Sequence, residues 1–346
     1  MDKLLNYAKS NVDLCVTHDS INKGLYAEYG VKKGLRDENG QGVLTGLTNI
    51  SQITAFKYID GVKTPCDGEL LYRGYNVQDI VNGSTGKKFI FEEGAYLLLF
   101  GELPTESQLS KFKIALSDGM ELPTNFTRDV IMKAPTADIM NSMTRSILTL
   151  ASYDKDKDNL ELSNVLRQCM MLISTFPMMA AYAYHAYNHY ENNGSMYIHR
   201  PDPELSIAEN FLRMIRPDQN YTELEARVLD IALLLHMEHG GGNNSTFTTR
   251  VVTSSGSDTY SAIAAAMSSL KGKKHGGANI MVMNMIDDIR HHVSDFYDED
   301  EIENYLKKIL NKETFDKQGL IYGMGHAVYS LSDPREKVFK RFVEQL

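Results

Sequence analysis

The 346-residue sequence contains no tryptophan and only three cysteines, Cys15, Cys66 and Cys169. Their wide spacing and odd number provide neither a disulfide framework nor a cysteine-based metal site, and such usage suits a reducing compartment. Apolar runs of about 18 residues, the length of a membrane span, are missing, and the N-terminus lacks the apolar core of a signal peptide. The composition therefore predicts a cytoplasmic protein that does not contact a membrane.

An excess of positive charge is also absent, because the net charge is −9 at pH 7. Phosphate backbones require a basic surface, so a general nucleic-acid-binding function is excluded. An acidic protein can still bind a small anion, but only through a local cluster of arginine, histidine or helix N-termini. Hydrophobic residues make up 42% and charged residues 23% of the chain, as in ordinary globular proteins.

Strand signals are confined to one part of the chain. Residues 50–59 and 68–75 are rich in β-branched and aromatic side chains, and turn residues at 60–61 and 65–68 lie between them, which predicts a small hairpin. Residues 1–33 have the spacing of short surface helices, and from Val77 onward the periodicity is helical. The fold class is therefore mainly α, with a small N-terminal β-hairpin.

Two further segments have local interpretations. The charged stretch DKDKDN, residues 154–159, is interpreted as a solvated turn without function. Asp333 and Pro334 are a good N-cap and first position for a last helix, whose apolar stripe includes Val338, Phe342 and Leu346. Because the sequence stops inside this stripe without a stop signal, we expect a fragment of a longer protein whose missing helices leave the stripe uncovered.

Three glycine-rich segments each contain histidine. They are HMEHGGGNNSTFTTR from His236, KKHGGAN around His275, and GMGHAV around His326, followed by DPR at residues 333–335. Each lies where a helical run stops or starts, and glycine there lets the backbone approach a ligand closely. The three segments are interpreted as parts of one site.

His275 is expected just before a helix N-terminus, whose dipole disfavours the imidazolium form. A neutral imidazole can donate a hydrogen bond to a developing enolate oxygen, although a purely structural capping role explains the position equally well. His326 follows two glycines in a loop suited to a carbonyl or carboxylate oxygen, or it is hydrogen-bonded within a structural loop. Arg335 offers a bidentate fork for a carboxylate; the alternative is a surface salt bridge.

His236 and His239 come three residues apart near the end of an apolar helix, so the spacing predicts that they share a face. A metal site is a weaker hypothesis, because the pair does not match H-E-x-x-H and has no third ligand at a fixed spacing. His236 is assigned to helix packing. His239, directly before three glycines, is the predicted ligand-binding residue.

These segments resemble the bacterial type of citrate synthase. HMEHGGGNNSTFTTR resembles that family's H-x-D-H-E-x-N-x-S-T segment, KKHGGAN its P-x-H-G-G-A-N segment, and GMGHAVYSLSDPR its G-Y-G-H-x-V-x-x-x-x-D-P-R segment. GELLYRGYNVQDIV, FEEGAYLLLFGELPT and ELSIAENFLRMIRP are also close to family patterns, in order from about Gly46 to Leu346. The chain departs from the pattern at Gly240, where the family has glutamate and one residue is inserted, and at Lys274, which replaces an apolar residue.

The resemblance implies an acyltransferase of the citrate (Si)-synthase type in the tricarboxylic acid cycle, which condenses acetyl-CoA with oxaloacetate. His275 matches the histidine that holds the acetyl-CoA enol, and His326 the one that polarises the oxaloacetate ketone. His239 and Arg335 match ligands of the oxaloacetate or citrate carboxylates. Gly323, Met324 and Gly325 are the predicted contacts of coenzyme A, which enters as part of the substrate; no tightly bound cofactor and no metal are expected.

The family's catalytic aspartate and two further citrate-binding arginines lie beyond the DPR segment, after Leu346, so this fragment is predicted to be inactive. The resemblance implies a homodimer with a citrate synthase-like two-domain helical fold. Here, residues 1–275 form the large domain, and residues 276–346 form an incomplete small domain. Three alternatives stay open: a 2-methylcitrate synthase using propionyl-CoA, a non-catalytic carboxylate-binding relative, and a metallohydrolase.

Overall fold

A computed structural model describes residues 22–30, 48–272, 275–324 and 329–342. The chain divides into two compact units, Met1–Gly46 and Leu47–Leu346. In the first unit, helix α1 (Lys23–Glu28) begins after Asn22, whose side chain accepts a hydrogen bond from the Gly24 N–H. The helices predicted for the other residues of this unit lie outside the described part of the chain.

The second unit opens with the predicted hairpin. Strand β1 (Ser51–Ile59) pairs antiparallel with β2 (Val62–Tyr72), and the short β3 (Tyr75–Asn76) pairs with β2. Asp60 and Gly61 form the turn, both at positive φ, as the twist of a two-residue hairpin loop requires. The prediction of a turn at 65–68 was wrong, because these residues lie within β2 and the register shifts opposite them.

The rest of the described second unit is helical, which confirms the predicted fold class. The helices are α2 (Val77–Gly83), α3 (Ile90–Phe100), α4 (Glu106–Asp118), α5 (Ile139–Leu150), α6 (Leu162–Glu191), α7 (Ile207–Ile215), α8 (Glu223–Leu235), α9 (Asn244–Ser254), α10 (Thr259–Leu270), α11 (Ala278–His292), α12 (Glu299–Leu310) and α13 (Pro334–Lys340). A π-helical turn (Thr127–Ile131) and a 3₁₀ turn (Ala151–Tyr153) complete the set. Among the described residues, none of these helices combines the length and apolarity needed to cross a bilayer.

Side-chain caps fix where several helices begin. Thr105, Ser206 and Thr222 each form a capping box, at the starts of α4, α7 and α8. Asp333 caps α13 with Pro334 in the first turn, as the sequence predicted.

Two buried carboxylates cap helices across the core. Asp230 on α8 accepts the Ile90 and Phe91 N–H groups at the start of α3, both at 2.9 Å. Glu92 on α3 accepts the Ile207 N–H at the start of α7, at 2.8 Å. Burial, followed by the charge of Asp230, raises the pKa of Glu92 to about 8. Burial also raises the pKa of Asp230. Three helices are therefore joined through two buried acids.

The largest core forms around the long helix α6, with α5, α10 and the π-helical turn packed against it. Asp154, in the loop after α5, belongs to this region: its carboxylate accepts bonds from Tyr260 and Arg167, both at 2.7 Å. These bonds outweigh burial and lower the pKa of Asp154 to about 2. The interpretation of residues 154–159 as a merely solvated turn was therefore wrong for Asp154.

The second core, termed the hairpin core, joins β2, α2, α3, α8 and α13. Its buried residues are Leu70, Tyr72, Val77, Ile80, Val81, Ile90, Leu97, Ile231, Leu234, Leu235, Val338 and Phe342. The expectation that the C-terminal stripe is uncovered was wrong for Val338 and Phe342, because both are buried here. Val343 and Leu346 lie outside the described residues.

A third group, termed the α11–α12 core, consists of Met285, Val293, Tyr305 and Ile309, with partly buried neighbours that include Phe315 and Tyr322. Its buried set is separate from that of the hairpin core. The domain boundary at residues 275–276 stays a prediction, although α13, beyond that boundary, packs in the hairpin core.

Candidate functional site

His239 lies in the loop that follows α8. The helix ends at Leu235, so the prediction that His236 and His239 share a helix face was wrong. His236 is the C-cap of the helix and is exposed, and its ring centroid lies 6.2 Å from that of Phe339. Its assignment to helix packing stays a prediction. His239 is partly buried, and its ring stands edge-on to that of Tyr329, with centroids 5.5 Å apart.

Two of the three glycines after His239 lie where the backbone approaches its neighbours closely, whereas a Cβ at Gly242 would meet nothing within 4 Å. Gly240 has φ +83°, and a Cβ there would lie 2.8 Å from the Ile53 side chain. A Cβ at Gly241 would lie 2.9 Å from Thr48 and 3.4 Å from the Arg250 guanidinium. Arg250 therefore lies against the turn beside His239. Although it closes the HMEHGGGNNSTFTTR segment, its sequence position alone gave no reason to assign it.

Arg335 lies near Tyr329, and its guanidinium forms a bidentate pair with the Asp333 carboxylate. Its Nε and Nη2 donate to the two oxygens of Asp333 at 3.0 and 2.7 Å, and 19% of the side chain is exposed. Burial alone would lower the pKa of Arg335, but the hydrogen bonds and charge of Asp333 raise it above its ordinary value. A partly buried guanidinium that stays charged is suited to bind a further carboxylate.

Tyr329 interacts with both His239 and Arg335: its ring contacts the His239 ring, and the charge of Arg335 acts on its hydroxyl. Its side chain is 4% exposed, and its hydroxyl lies 3.4 Å from the Glu69 carbonyl. Burial, and then the charge of Asp333, raises the pKa of Tyr329 to about 12, while the charge of Arg335 opposes this rise. The phenol is therefore neutral near pH 7. Its ring contacts the imidazole of His239, and it lies near enough to the Arg335 guanidinium to be affected by its charge.

Strand β2 fixes the segment that carries Tyr329 and Arg335. The Gly68 N–H donates to Ser332 Oγ at 3.1 Å, and the Ser332 hydroxyl donates to Asp67 at 2.8 Å. A Cβ at Gly68 would lie 2.2 Å from the Ser332 carbonyl oxygen and 2.6 Å from the Tyr329 ring. Only glycine therefore permits the observed approach of the strand to this segment.

Tyr72, the last residue of β2, reaches the end of α8. Its buried hydroxyl lies 3.1 Å from the Leu234 and Glu238 carbonyl oxygens and accepts the Glu238 N–H at 3.3 Å. Burial raises the pKa of Tyr72 well above its usual value, while the nearby Arg335 opposes the rise. No local pattern in the sequence indicated this long-range contact.

His275 lies between α10 and α11, before Gly277, the N-cap of α11, as the sequence predicted. Its Nε2 is 2.9 Å from the Ser245 hydroxyl, which also donates to the Ala266 carbonyl at 3.0 Å. Partial burial lowers the pKa of His275, so the ring is neutral near pH 7. Ser245 occupies one ring nitrogen, which leaves Nδ1 as the nitrogen that can meet a ligand.

The loop predicted to contact coenzyme A is described only in part. Gly323 and Met324 are exposed, Met324 by 77%, and Gly323 has φ +85°. His326 and Gly325 lie outside the described residues, so their roles stay predictions. No group of three metal-ligating side chains occurs within the described part of the chain.

The comparisons identify relatives over most of the chain. The family profile described as "Citrate synthase, C-terminal domain" matches residues 39–346. Citrate synthase of Corynebacterium glutamicum is 33% identical over 88% of this chain, and 2-methylcitrate synthase of Shewanella oneidensis is 33% identical over 80%. The chain spans 64% and 67% of the lengths of these two proteins.

Solved structures agree with the sequence comparisons. Citrate synthase of Pyrobaculum aerophilum superposes with a TM-score of 0.69 at 30% identity, covering 88% of this chain and 69% of that one. The Thermoplasma acidophilum citrate synthase, solved in a ternary complex with carboxymethyl coenzyme A and oxaloacetate, gives 0.72 at 27% identity, covering 91% and 72%. On these matches in sequence and in fold, the chain belongs to the citrate synthase family.

Proposed function

We propose that the protein serves the condensation of acetyl-CoA with oxaloacetate to give citrate and CoA. The observation that carries this proposal is the group formed by His239, Tyr329 and the Arg335–Asp333 pair. It combines a guanidinium that stays charged, a neutral phenol and an imidazole beside a glycine turn. Such a group offers directional donors to a small dicarboxylate in an otherwise acidic protein.

In this proposal, Arg335 binds a substrate carboxylate through the donors that Asp333 leaves available. Asp333 occupies Nε and Nη2, and no hydrogen bond joins Nη1 to another described residue. His239 binds the same dicarboxylate from the glycine turn. His326 polarises the ketone that the acyl carbon attacks, as the family resemblance implies.

His275 serves the acyl half of the reaction. When the acetyl methyl group loses a proton, negative charge develops on the thioester oxygen, and an N–H aimed at that oxygen stabilises it. Donation from Nδ1 requires the proton on that nitrogen. The Ser245 hydroxyl, which donates to the Ala266 carbonyl at 3.0 Å, must then turn and donate its single proton to Nε2 instead. The lowered pKa keeps the ring neutral, so it donates a hydrogen bond without transferring its proton first.

Removal of the methyl proton needs a base, which the family resemblance places in an aspartate after the DPR segment. Because the resemblance places this group after Leu346, we propose that the chain as given binds oxaloacetate but does not turn over. Asp333 cannot substitute for the base, since it is committed to Arg335 and to capping α13.

Calorimetric titration of oxaloacetate tests the dicarboxylate site. The Arg335→Leu variant should weaken binding by at least about 30-fold, because charge-assisted hydrogen bonds contribute roughly 1.5–3 kcal/mol each. The matched control is Arg290→Leu on α11, which removes an exposed arginine paired with Asp287 at 3.5 Å. Equal affinity of both variants and the unsubstituted chain would refute the assignment of Arg335.

Release of CoA from acetyl-CoA in the presence of oxaloacetate tests the chemistry. The 346-residue chain should show no release above background. A longer form carrying the downstream aspartate should turn over, and His275→Ala in that form should lose most turnover while keeping oxaloacetate affinity. Near-normal citrate formation by the 346-residue chain would refute the missing-base argument, and equal losses of binding and turnover would make His275 structural.

The 2-methylcitrate reaction with propionyl-CoA is the second candidate, since the Shewanella oneidensis 2-methylcitrate synthase is as similar as the Corynebacterium glutamicum citrate synthase. One methylene is discriminated only by about 1–3 kcal/mol, so rates with both thioesters decide between them. A carboxylate-binding protein without catalysis would bind oxaloacetate and release no CoA even in the longer form. A cytoplasmic location and a homodimer stay predictions.

A further inference from the structure

The end of α8 is interrupted by a side chain from elsewhere in the chain. In an α-helix, the N–H of residue 238 would donate to the carbonyl of residue 234. Here the Tyr72 hydroxyl contacts both groups: it accepts the Glu238 N–H at 3.3 Å and lies 3.1 Å from the Leu234 carbonyl oxygen, the same distance as from the Glu238 carbonyl oxygen. A hydroxyl inserted into the hydrogen-bond ladder is a recognised cause of helix bending or ending.

The interruption changes where His239 points. The last backbone bond near the end of α8 is the short-range one from the Met237 N–H to Leu234 at 3.3 Å. Beyond it the chain leaves the helix axis, and His239 reaches Tyr329. If α8 continued by one more turn, His239 would lie on its surface beside His236, at the spacing of a shared helix face.

We propose that Tyr72 is a positioning residue of the dicarboxylate site, because its hydroxyl replaces one helical hydrogen bond at the end of α8 and thereby turns His239 toward Tyr329. This inference rests on the proposed function for its effect on binding. Its structural part stands on the Tyr72 contacts alone. Tyr72 does not touch the reacting atoms in this proposal; it acts through the Glu238 backbone and His239.

The surroundings of Tyr72 explain why the phenol can hold this position. The side chain is fully buried in the hairpin core, so no water competes for the Leu234 and Glu238 groups. The Glu238 side chain accepts the Ser51 hydroxyl at 3.0 Å, which ties the same loop to β1. The hairpin therefore holds the loop from two adjacent strands.

The test compares Tyr72→Phe with Tyr182→Phe in the 346-residue chain. Tyr182, on α6, is also buried, at 2% exposure. Its hydroxyl donates to the His199 carbonyl at 2.8 Å. Tyr182→Phe loses one phenol–carbonyl hydrogen bond, and Tyr72→Phe loses such a bond together with the one accepted from the Glu238 N–H, so both variants should lose thermal stability. Only Tyr72→Phe should extend α8 and weaken oxaloacetate binding by about 10-fold or more.

Three measurements separate the outcomes. Backbone chemical shifts of residues 236–239 should become helical in Tyr72→Phe and stay unchanged in Tyr182→Phe. The nuclear Overhauser contact between the His239 and Tyr329 rings should disappear only in Tyr72→Phe. Calorimetry gives the oxaloacetate affinity of each variant. Unchanged shifts together with affinity within about two-fold of the unsubstituted chain would overturn the proposal.

Two further results keep the test decisive. If the unsubstituted chain does not bind oxaloacetate, the proposed function fails while the backbone measurement still decides the role of Tyr72 at α8. If Tyr72→Phe does not fold, the unsubstituted chain decides: the Glu238 amide should exchange with solvent as slowly as the buried amides of α8. Fast exchange there, or no contact between the His239 and Tyr329 rings, would overturn the proposal.

Discussion

The hairpin core and the α11–α12 core differ in how tightly they are built. In the hairpin core, Leu70, Tyr72 and Leu234 are fully buried, and hydrogen bonds from β2 reach residues more than 150 positions away. On α11, Met285 is the single buried residue, while Ile280 and Met283 are 56% and 61% exposed. The proposed dicarboxylate ligands are therefore preassembled, whereas His275 precedes a sparsely packed helix.

This difference teaches that the proposed site combines a tightly packed part with a sparsely packed one. Binding costs less when the groups that contact a ligand are already ordered. The His239–Arg335 part has this property through Gly68, Tyr72 and Tyr329. The α11–α12 part has few buried contacts, which is the physical condition for local opening at low free energy.

The largest expected effect comes from Gly68→Ala. The added Cβ meets the Ser332 carbonyl and the Tyr329 ring, so the free energy of unfolding should fall by more than about 3 kcal/mol and oxaloacetate binding should be lost. Gly83→Ala is the control, because a Cβ there meets nothing within 4 Å. Denaturant unfolding and calorimetry measure both quantities. Equal behaviour of the two variants would remove the claim that β2 fixes the dicarboxylate part.

The next effect concerns the buried acid of α3. Because the fold raises the pKa of Glu92 from 4.5 to about 8, its stabilising contribution is complete below about pH 4.5 and is lost as pH rises through 8. Glu92→Gln keeps an acceptor for the Ile207 N–H and cannot ionise. The Glu92→Gln variant should exceed the unsubstituted chain in free energy of unfolding by about 5 kcal/mol at pH 9, and by little at pH 5.

Melting temperatures at pH 5, 7 and 9 check this expectation. The exposed Glu106→Gln on α4 is the control and should give the same difference at every pH. A Glu92→Gln difference that does not change with pH would show that the acid is not buried as described.

A smaller and more local effect is expected in the other core. Ile309 on α12 is fully buried, so Ile309→Ala should lose about 2 kcal/mol or more through the cavity it leaves. Hydrogen exchange should accelerate in α11 and α12 and stay unchanged in α3 and α8. The exposed Leu310→Ala, at 52% exposure, is the control. Accelerated exchange throughout both cores would mean that they unfold as one unit.

The smallest effect on stability is expected for Ser245→Ala. The free energy of unfolding should fall by less than about 1 kcal/mol, because the lost hydroxyl is only partly buried. In the longer form proposed above, loss of the donor to His275 Nε2 should lower kcat by about 10-fold, the equivalent of one hydrogen bond of about 1.4 kcal/mol. The KM for oxaloacetate should not change. Nitrogen chemical shifts of His275 report which ring nitrogen carries the proton, and an unchanged distribution would contradict this role of Ser245.

Local signals allowed much of the fold to be predicted. Helix starts at Thr105, Ser206, Thr222 and Asp333 follow from capping chemistry within a few residues. The position of His275 before α11 followed from a glycine pair between two helical runs. Such features depend on neighbours in sequence, which is why they can be inferred without the tertiary structure.

The errors occurred where distant residues decide the local structure. The end of α8 is set by Tyr72, and the burial of Val338 and Phe342 is set by β2, α2 and their neighbours. The patch at 65–68 looked like a turn, yet pairing with β1 keeps it within a strand. Asp154 looked solvated because its partners, Arg167 and Tyr260, lie on two later helices.

The contact between Gly68 and Ser332 joins residues 264 positions apart in the sequence. Closing so large a loop carries an entropic cost before any contact compensates for it, and folds rich in such contacts form slowly. A chain still emerging from the ribosome can complete α6 and its neighbours but cannot hold Tyr329 and Arg335 against β2 until the DPR segment has been made. Under the proposed function, capture of the dicarboxylate is therefore restricted to molecules whose synthesis has passed Arg335.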